Sequence, residues 1–110
     1  MHDALPTIVE TPTFTRLVNR YLDDDAYRLL QTTLALAPER GKIIPGGNGI
    51  RKIRWQSKGH GKRGGVRIIY YWAKPQGIIL MLFIYPKNDR NDLTPAQIKA
   101  LGQFVREAFP

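Results

Sequence analysis

Three cations can meet on one surface of this chain: Lys52, Arg54 and Arg67. Lys52 and Arg54 are two residues apart in IRKIRW, which reads as a β-strand, so their side chains leave the same face. Arg67 lies in the next apolar stretch, VRIIYYW, and a hairpin between the two stretches brings it beside them. Three positive charges on one sheet face repel one another, an arrangement that makes sense chiefly with an anion among them. The chemistry it suits is phosphoryl transfer, because an arginine fork grips non-bridging oxygens bidentately and stabilises the charge that develops there. A lysine crowded by cations also loses some of its preference for the charged form, which moves it toward general-base range. The same residues would bind a phosphate without reacting with it, and residue types alone leave both readings open.

The surroundings extend the theme. From Arg51 to Tyr71 seven residues are Lys or Arg and none is acidic. Arg51, Lys58, Lys62 and Arg63 add charge that suits a nucleic-acid backbone. Ser57 to Gly65, SKGHGKRGG, reads as a glycine-rich loop whose N–H groups can turn toward a phosphate. It lacks the GxxxxGK[ST] spacing of a nucleotide-binding loop. His60 at its tip is a lone histidine, a type that in a loop ordinarily takes no part in catalysis. Trp55, Tyr70, Tyr71, Trp72 and Tyr85 interleave with the cations. Most of them suit core packing, and Trp55 and Tyr71 are the better candidates for stacking on splayed bases.

Composition sets the limits. One hundred and ten residues make one domain with a single core. The net charge is +8, and eleven of the seventeen Lys and Arg fall between Arg40 and Asn88, where there is no Asp or Glu. Surfaces usually intersperse both signs; one sign over almost half the chain points to a polyanionic partner. The absence of cysteine excludes disulfides, thiolate metal sites and cysteine nucleophiles, and fits a reducing cytosol. The longest apolar run, Ile78 to Tyr85, is eight residues, far short of a membrane span. MHDALPTIVE has neither a charged n-region nor a long apolar core, so the expected location is the cytoplasm.

The elements that must position these residues follow from period and punctuation. Pro6 to Glu10 reads as a strand bounded by proline. Thr11-Pro12 starts a helix with Phe14, Leu17, Val18, Tyr21 and Leu22 on one face. Asp23-Asp24-Asp25 caps a second helix, a commoner role for such a run than metal binding. That helix carries Ala26, Leu30, Leu34 and Ala37 on one stripe and stops before Pro38. Gly41 to Gly49 is a turn-rich connection with a possible edge strand at Lys42 to Ile44. Strands at Ile50 to Trp55, Val66 to Lys74 and Ile78 to Tyr85 come next, the last two joined at Pro75-Gln76-Gly77. In the middle one, Val66, Ile68, Tyr70 and Trp72 share a face opposite to Arg67, Ile69 and Tyr71. Thr94-Pro95-Ala96-Gln97 is a capping box opening a final helix, with Ile98, Leu101, Phe104 or Val105, and Ala108 inward. The expected fold is compact α+β, β-α-α-β-β-β-α, with a mostly antiparallel sheet under helices.

With these pieces in place, GIRKIRW, the KRGG loop running into VRIIYYW, and IYPKNDRNDLT before a last helix resemble the RelE/HigB superfamily of type II toxin–antitoxin toxins. The likeness covers nearly the whole chain, is most specific from Gly49 to Leu93, and is nearest to the HigB branch. It implies a RelE-like microbial-ribonuclease-type fold and a metal-independent, cofactor-free endoribonuclease. Such a toxin cleaves mRNA in the ribosomal A site, with the RNA's own 2′-hydroxyl as nucleophile. It implies a cognate antitoxin, of helix-turn-helix type, through which alone operator DNA would be bound, and no membrane partner. Lys52 and Arg54 fall on the family's two cationic positions in the strand, for substrate positioning and proton transfer. Arg67 falls on the arginine that stabilises the scissile phosphate. Lys87, with Asn88, stands within a residue of an arginine that many members keep. Leu93-Thr94 occupies the place of the tyrosine used near the scissile site, so the general base stays open. A non-catalytic RNA-binding module and a gyrase-poisoning relative are the alternatives.

Overall fold

The computed structural model describes residues 4–56, 65–87 and 92–110. In chain order the elements are β1 (Thr7–Glu10), α1 (Pro12–Tyr21), α2 (Asp24–Leu36), β2 (Lys42–Ile43), β3 (Ile50–Trp55), β4 (Val66–Ala73), a 3-10 turn (Lys74–Gln76), β5 (Ile78–Pro86) and α3 (Pro95–Ala108). The expected order holds, and the small edge strand expected at Lys42 to Ile44 is the two-residue β2. The sheet runs β1-β5-β4-β3-β2. Its pairs are antiparallel except β1 with β5, which is parallel. No helix among the described residues is long and apolar enough to cross a membrane.

Local chemistry sets each boundary. The Thr11 hydroxyl accepts from the Phe14 N–H at 3.1 Å, and Pro12, which has no N–H to lose, takes the first turn of α1. Asp23 caps α2 by accepting from the Ala26 N–H at 2.8 Å, and Asp24 and Asp25 sit in the first turn, where the helix dipole favours them. Both halves of the capping box form at Thr94 and Gln97. Between β4 and β5 the chain reverses through the 3-10 turn, and Gly77 ends it with φ +67°, in the left-handed region.

The sheet has a core on each side. On one face α1 and α2 bury Phe14, Val18, Leu30 and Leu34 against Ile53, Val66, Ile68, Tyr70, Ile79, Met81 and Ile84. On the other, α3 lays Val105, with Ile98 and Leu101, over Ile44, Ile50, Ile69, Leu80 and Leu82. Val105 is the inward residue of the pair left open by the helical period, and Phe104 is 46% exposed. The members of β5 on the α1/α2 side are Ile79, Met81 and then Ile84, so the alternation changes phase between Met81 and Ile84. The cause is a bulge: Ile69 pairs with Phe83 and Tyr70 with Met81, leaving Leu82 without a partner on β4. Thr11 compensates, its hydroxyl donating to the Leu82 carbonyl at 3.1 Å. α3 approaches the β2–β3 connection closely at Gly102, where an added Cβ would stand 2.8 Å from the Gly47 backbone.

Candidate functional site

Strand register decides which cations meet. Arg54 on β3 lies opposite Arg67 on β4, and Arg67 lies opposite Tyr85 on β5. A second row runs from Lys42 on β2 through Lys52 on β3 to Ile69 and Phe83. Lys52, Arg54 and Arg67 therefore share the face that α3 covers elsewhere, with Lys42 beside them. Cross-strand neighbours have Cβ atoms about 5 Å apart, and like charges so placed destabilise a sheet. These charges line one cavity of about 800 Å³, together with Arg40, Lys87, Ile53 and Asp92.

Arg67 is the unusual member. It is 5% exposed, and it has no hydrogen-bonded or ion-paired partner among the described residues. A buried charge is ordinarily paired, since removing it from water costs several kcal/mol otherwise. Here the head of a buried side chain reaches a cavity of its own sign. Lys52 has a partner, its Nζ standing 3.3 Å from an Asp92 carboxylate oxygen. The Asp92 side chain is 78% exposed, so the pair is worth at most about 1 kcal/mol. Lys87 is held by its backbone, which donates to the Gly65 carbonyl at 2.9 Å and fixes the end of β5 beside the start of β4.

The rim formed by Arg40 and Lys42 is anchored from beneath. Tyr70 is fully buried; its hydroxyl donates to the Pro38 carbonyl at 2.7 Å and accepts from the Gly41 N–H at 2.8 Å. Burial, foremost, raises its pKa. Arg51 ties down the same segment, donating to the carbonyls of Glu39 at 3.0 Å and Gly41 at 2.8 Å. Arg51 thus sits on the opposite face from Lys52 and Arg54, away from the cavity. Trp55 shares that opposite face, packing on the α1/α2 core with its indole N–H donating to the Ala26 carbonyl at 3.0 Å. Tyr71 stacks on Phe109 at a centroid distance of 5.6 Å, under the end of α3. The structure brings Lys52, Arg54, Arg67 and Lys87 together and keeps Arg51, Trp55 and Tyr71 apart from them. Lys58, Lys62 and Arg63, like His60 and Asn88, lie outside the described residues.

Four participants escape a reading of the sequence. Arg40 and Lys42 carry the right charge, but only the pairing of a two-residue strand brings them in. Asp92 stands in a polar loop with nothing in its spacing to point back to Lys52. Tyr85 reads as one more apolar member of β5, and only the bulge and the register place it next to Arg67.

No family model matches the sequence. Among solved structures, the chain is similar to a double arginine-to-alanine mutant of the E. coli toxin RelE in its free state, with a TM-score of 0.59. The match covers 93% of this chain and 98% of that one at 8% identity. The fold is RelE-like. At so low an identity the likeness is one of architecture, an α+β arrangement of three helices and a five-stranded mixed sheet. On this RelE-like fold the cavity and its charges are built from the chain's own residues.

Proposed function

We propose that this chain is the toxin of a type II toxin–antitoxin system, of the HigB branch of RelE-like proteins, and that it cleaves mRNA in the ribosomal A site. Arg67, 5% exposed, without an ion pair among the described residues and facing a cation-lined cavity, is the observation that carries the reading, because a phosphodiester supplies a negative charge there. In the reaction the RNA 2′-oxygen attacks the adjacent phosphorus and the 5′-oxygen leaves, giving a 2′,3′-cyclic phosphate and a 5′-hydroxyl. Arg67 and Arg54, in one row, hold the non-bridging oxygens as charge builds on them. Lys52 and Lys87 flank the phosphate, Lys52 taking part in proton transfer. The chemistry needs no metal or cofactor. The RelE-like fold and the basic face support a cytoplasmic protein neutralised by an antitoxin, through which operator DNA would be engaged.

Expression without an antitoxin tests this directly. Growth should arrest, and cleavage sites mapped by primer extension should fall within codons positioned in the A site. Arg67→Ala should lower cleavage by about 10²–10³, the usual cost of losing one donor to developing charge. Unchanged cleavage by that variant would overturn the assignment. RNA bound to programmed ribosomes but left intact would indicate a binding module, and DNA-damage signalling in place of a translation block would indicate gyrase poisoning.

A further inference from the structure

Among the described residues one buried side-chain polar atom has no hydrogen-bond partner: the Tyr85 hydroxyl. A buried phenol without a partner is costly, and such groups call for a role. Tyr85 faces Arg67 across the β4–β5 ladder and leans on Phe83, with ring centroids 5.7 Å apart. It lies behind the cavity, whose lining includes Arg67 and Asp92 but not Tyr85 itself. Burial, foremost, raises its pKa; the Asp92 charge adds to this and the Arg67 charge opposes it. At neutral pH Tyr85 is therefore an intact O–H donor that senses both charges. Asp92, in turn, is bound among the described residues to Lys52, through a contact open to solvent.

We propose that Asp92 is a resident anion of the cation cluster and that Tyr85 is where its carboxylate goes when a phosphate arrives. In the free protein Asp92 neutralises Lys52. A phosphate held by Arg54 and Arg67 competes for Lys52, and the displaced carboxylate accepts the Tyr85 O–H, which has no acceptor among the described residues. The exchange frees Lys52 for the phosphate and satisfies the buried phenol in the same motion. Tyr85 and Asp92 are positioning residues in this scheme: they act through Lys52 and do not touch the reacting atoms. The inference rests on the nuclease reading only in taking the cavity to bind phosphate.

The test is a double-mutant cycle on the purified full chain, with affinity for inorganic pyrophosphate measured by calorimetry and stability by thermal unfolding. Asp92→Ala should bind pyrophosphate about threefold to tenfold more tightly, because the competitor for Lys52 is gone. Tyr85→Phe should bind about fivefold more weakly, yet have no effect on affinity in the Asp92→Ala background. Without pyrophosphate, Tyr85→Phe should melt at or above the wild-type temperature, since its hydroxyl has no bond to lose among the described residues. A lower melting temperature, or an equal affinity loss in both backgrounds, would overturn the exchange. So would Tyr85→Phe binding as tightly as wild type. Arg67→Ala separates the two readings. If it binds pyrophosphate normally, the cavity is not the phosphate site and both fall; if it loses binding while the cycle shows no coupling, the site stands and the exchange alone falls.

Discussion

Arg67 holds a permanent charge for which no ion-pair partner stands among the described residues. Stability and activity should therefore pull in opposite directions at this position. Methionine fills a similar length without a charge, and replacing buried ionic groups by apolar ones of similar volume commonly stabilises by about 1–4 kcal/mol. We expect Arg67→Met to raise the urea midpoint of the free protein while abolishing phosphate binding. A lower midpoint would mean that the guanidinium is already satisfied in the free state. Tyr70 shows the contrast: equally enclosed, its hydroxyl has both a donor and an acceptor, and it holds the segment that carries Arg40 and Lys42. One tyrosine builds the rim and the other is left with a hydrogen to give.

Among the elements, α1 and β5 are joined most directly through Thr11, which caps the helix and also reaches the carbonyl left over by the bulge. Thr11→Ala loses both bonds. It should destabilise the protein by about 1–3 kcal/mol, the range for a lost cap together with an unsatisfied buried acceptor, measured by urea unfolding. Thr11→Ser, which keeps the hydroxyl, should recover most of that. This junction marks where the sequence stops being legible. The faces of β4 are readable because Arg67 interrupts an otherwise apolar alternation, and the faces of β3 because Lys52 and Arg54 keep a period of two. In β5 all eight residues from Ile78 to Tyr85 are apolar, so nothing in their order reveals the phase change at Leu82. Hence Lys52, Arg54 and Arg67 can be placed together from the sequence, whereas Tyr85 cannot. Arg51 and Trp55 have the right chemistry for nucleic acid, and the pleat turns them to the face where α2 and the segment before β2 engage them.

For the molecule as a whole, the response to alkali follows from three phenols. Tyr27, Tyr70 and Tyr85 all have pKa values raised above the ordinary 10.0, with burial the first cause in each. Between the unfolded value and the raised folded ones the unfolded chain binds fewer protons, so stability falls as pH rises there. The contribution is complete below about pH 10 and is lost progressively above it. Urea midpoints should be level with respect to these groups at pH 8 to 9 and drop from pH 10 upward, with a smaller drop in Tyr70→Phe. An equal drop in that variant would place the alkaline transition elsewhere.

The parallel pairing of β1 with β5 also bears on when the protein can exist at all. Thr7 aligns with Ile78 and Glu10 with Met81, and Thr11 bonds to a carbonyl 71 residues away. Contacts of such sequence separation are slow to form, because a long loop must close before they contribute. During synthesis the first strand waits until β5 has emerged, and Lys87 and Asp92 emerge later still. The β3–β4 hairpin can bring Lys52, Arg54 and Arg67 together early, whereas the cluster gains Lys87 and Asp92 only after β5 has been made.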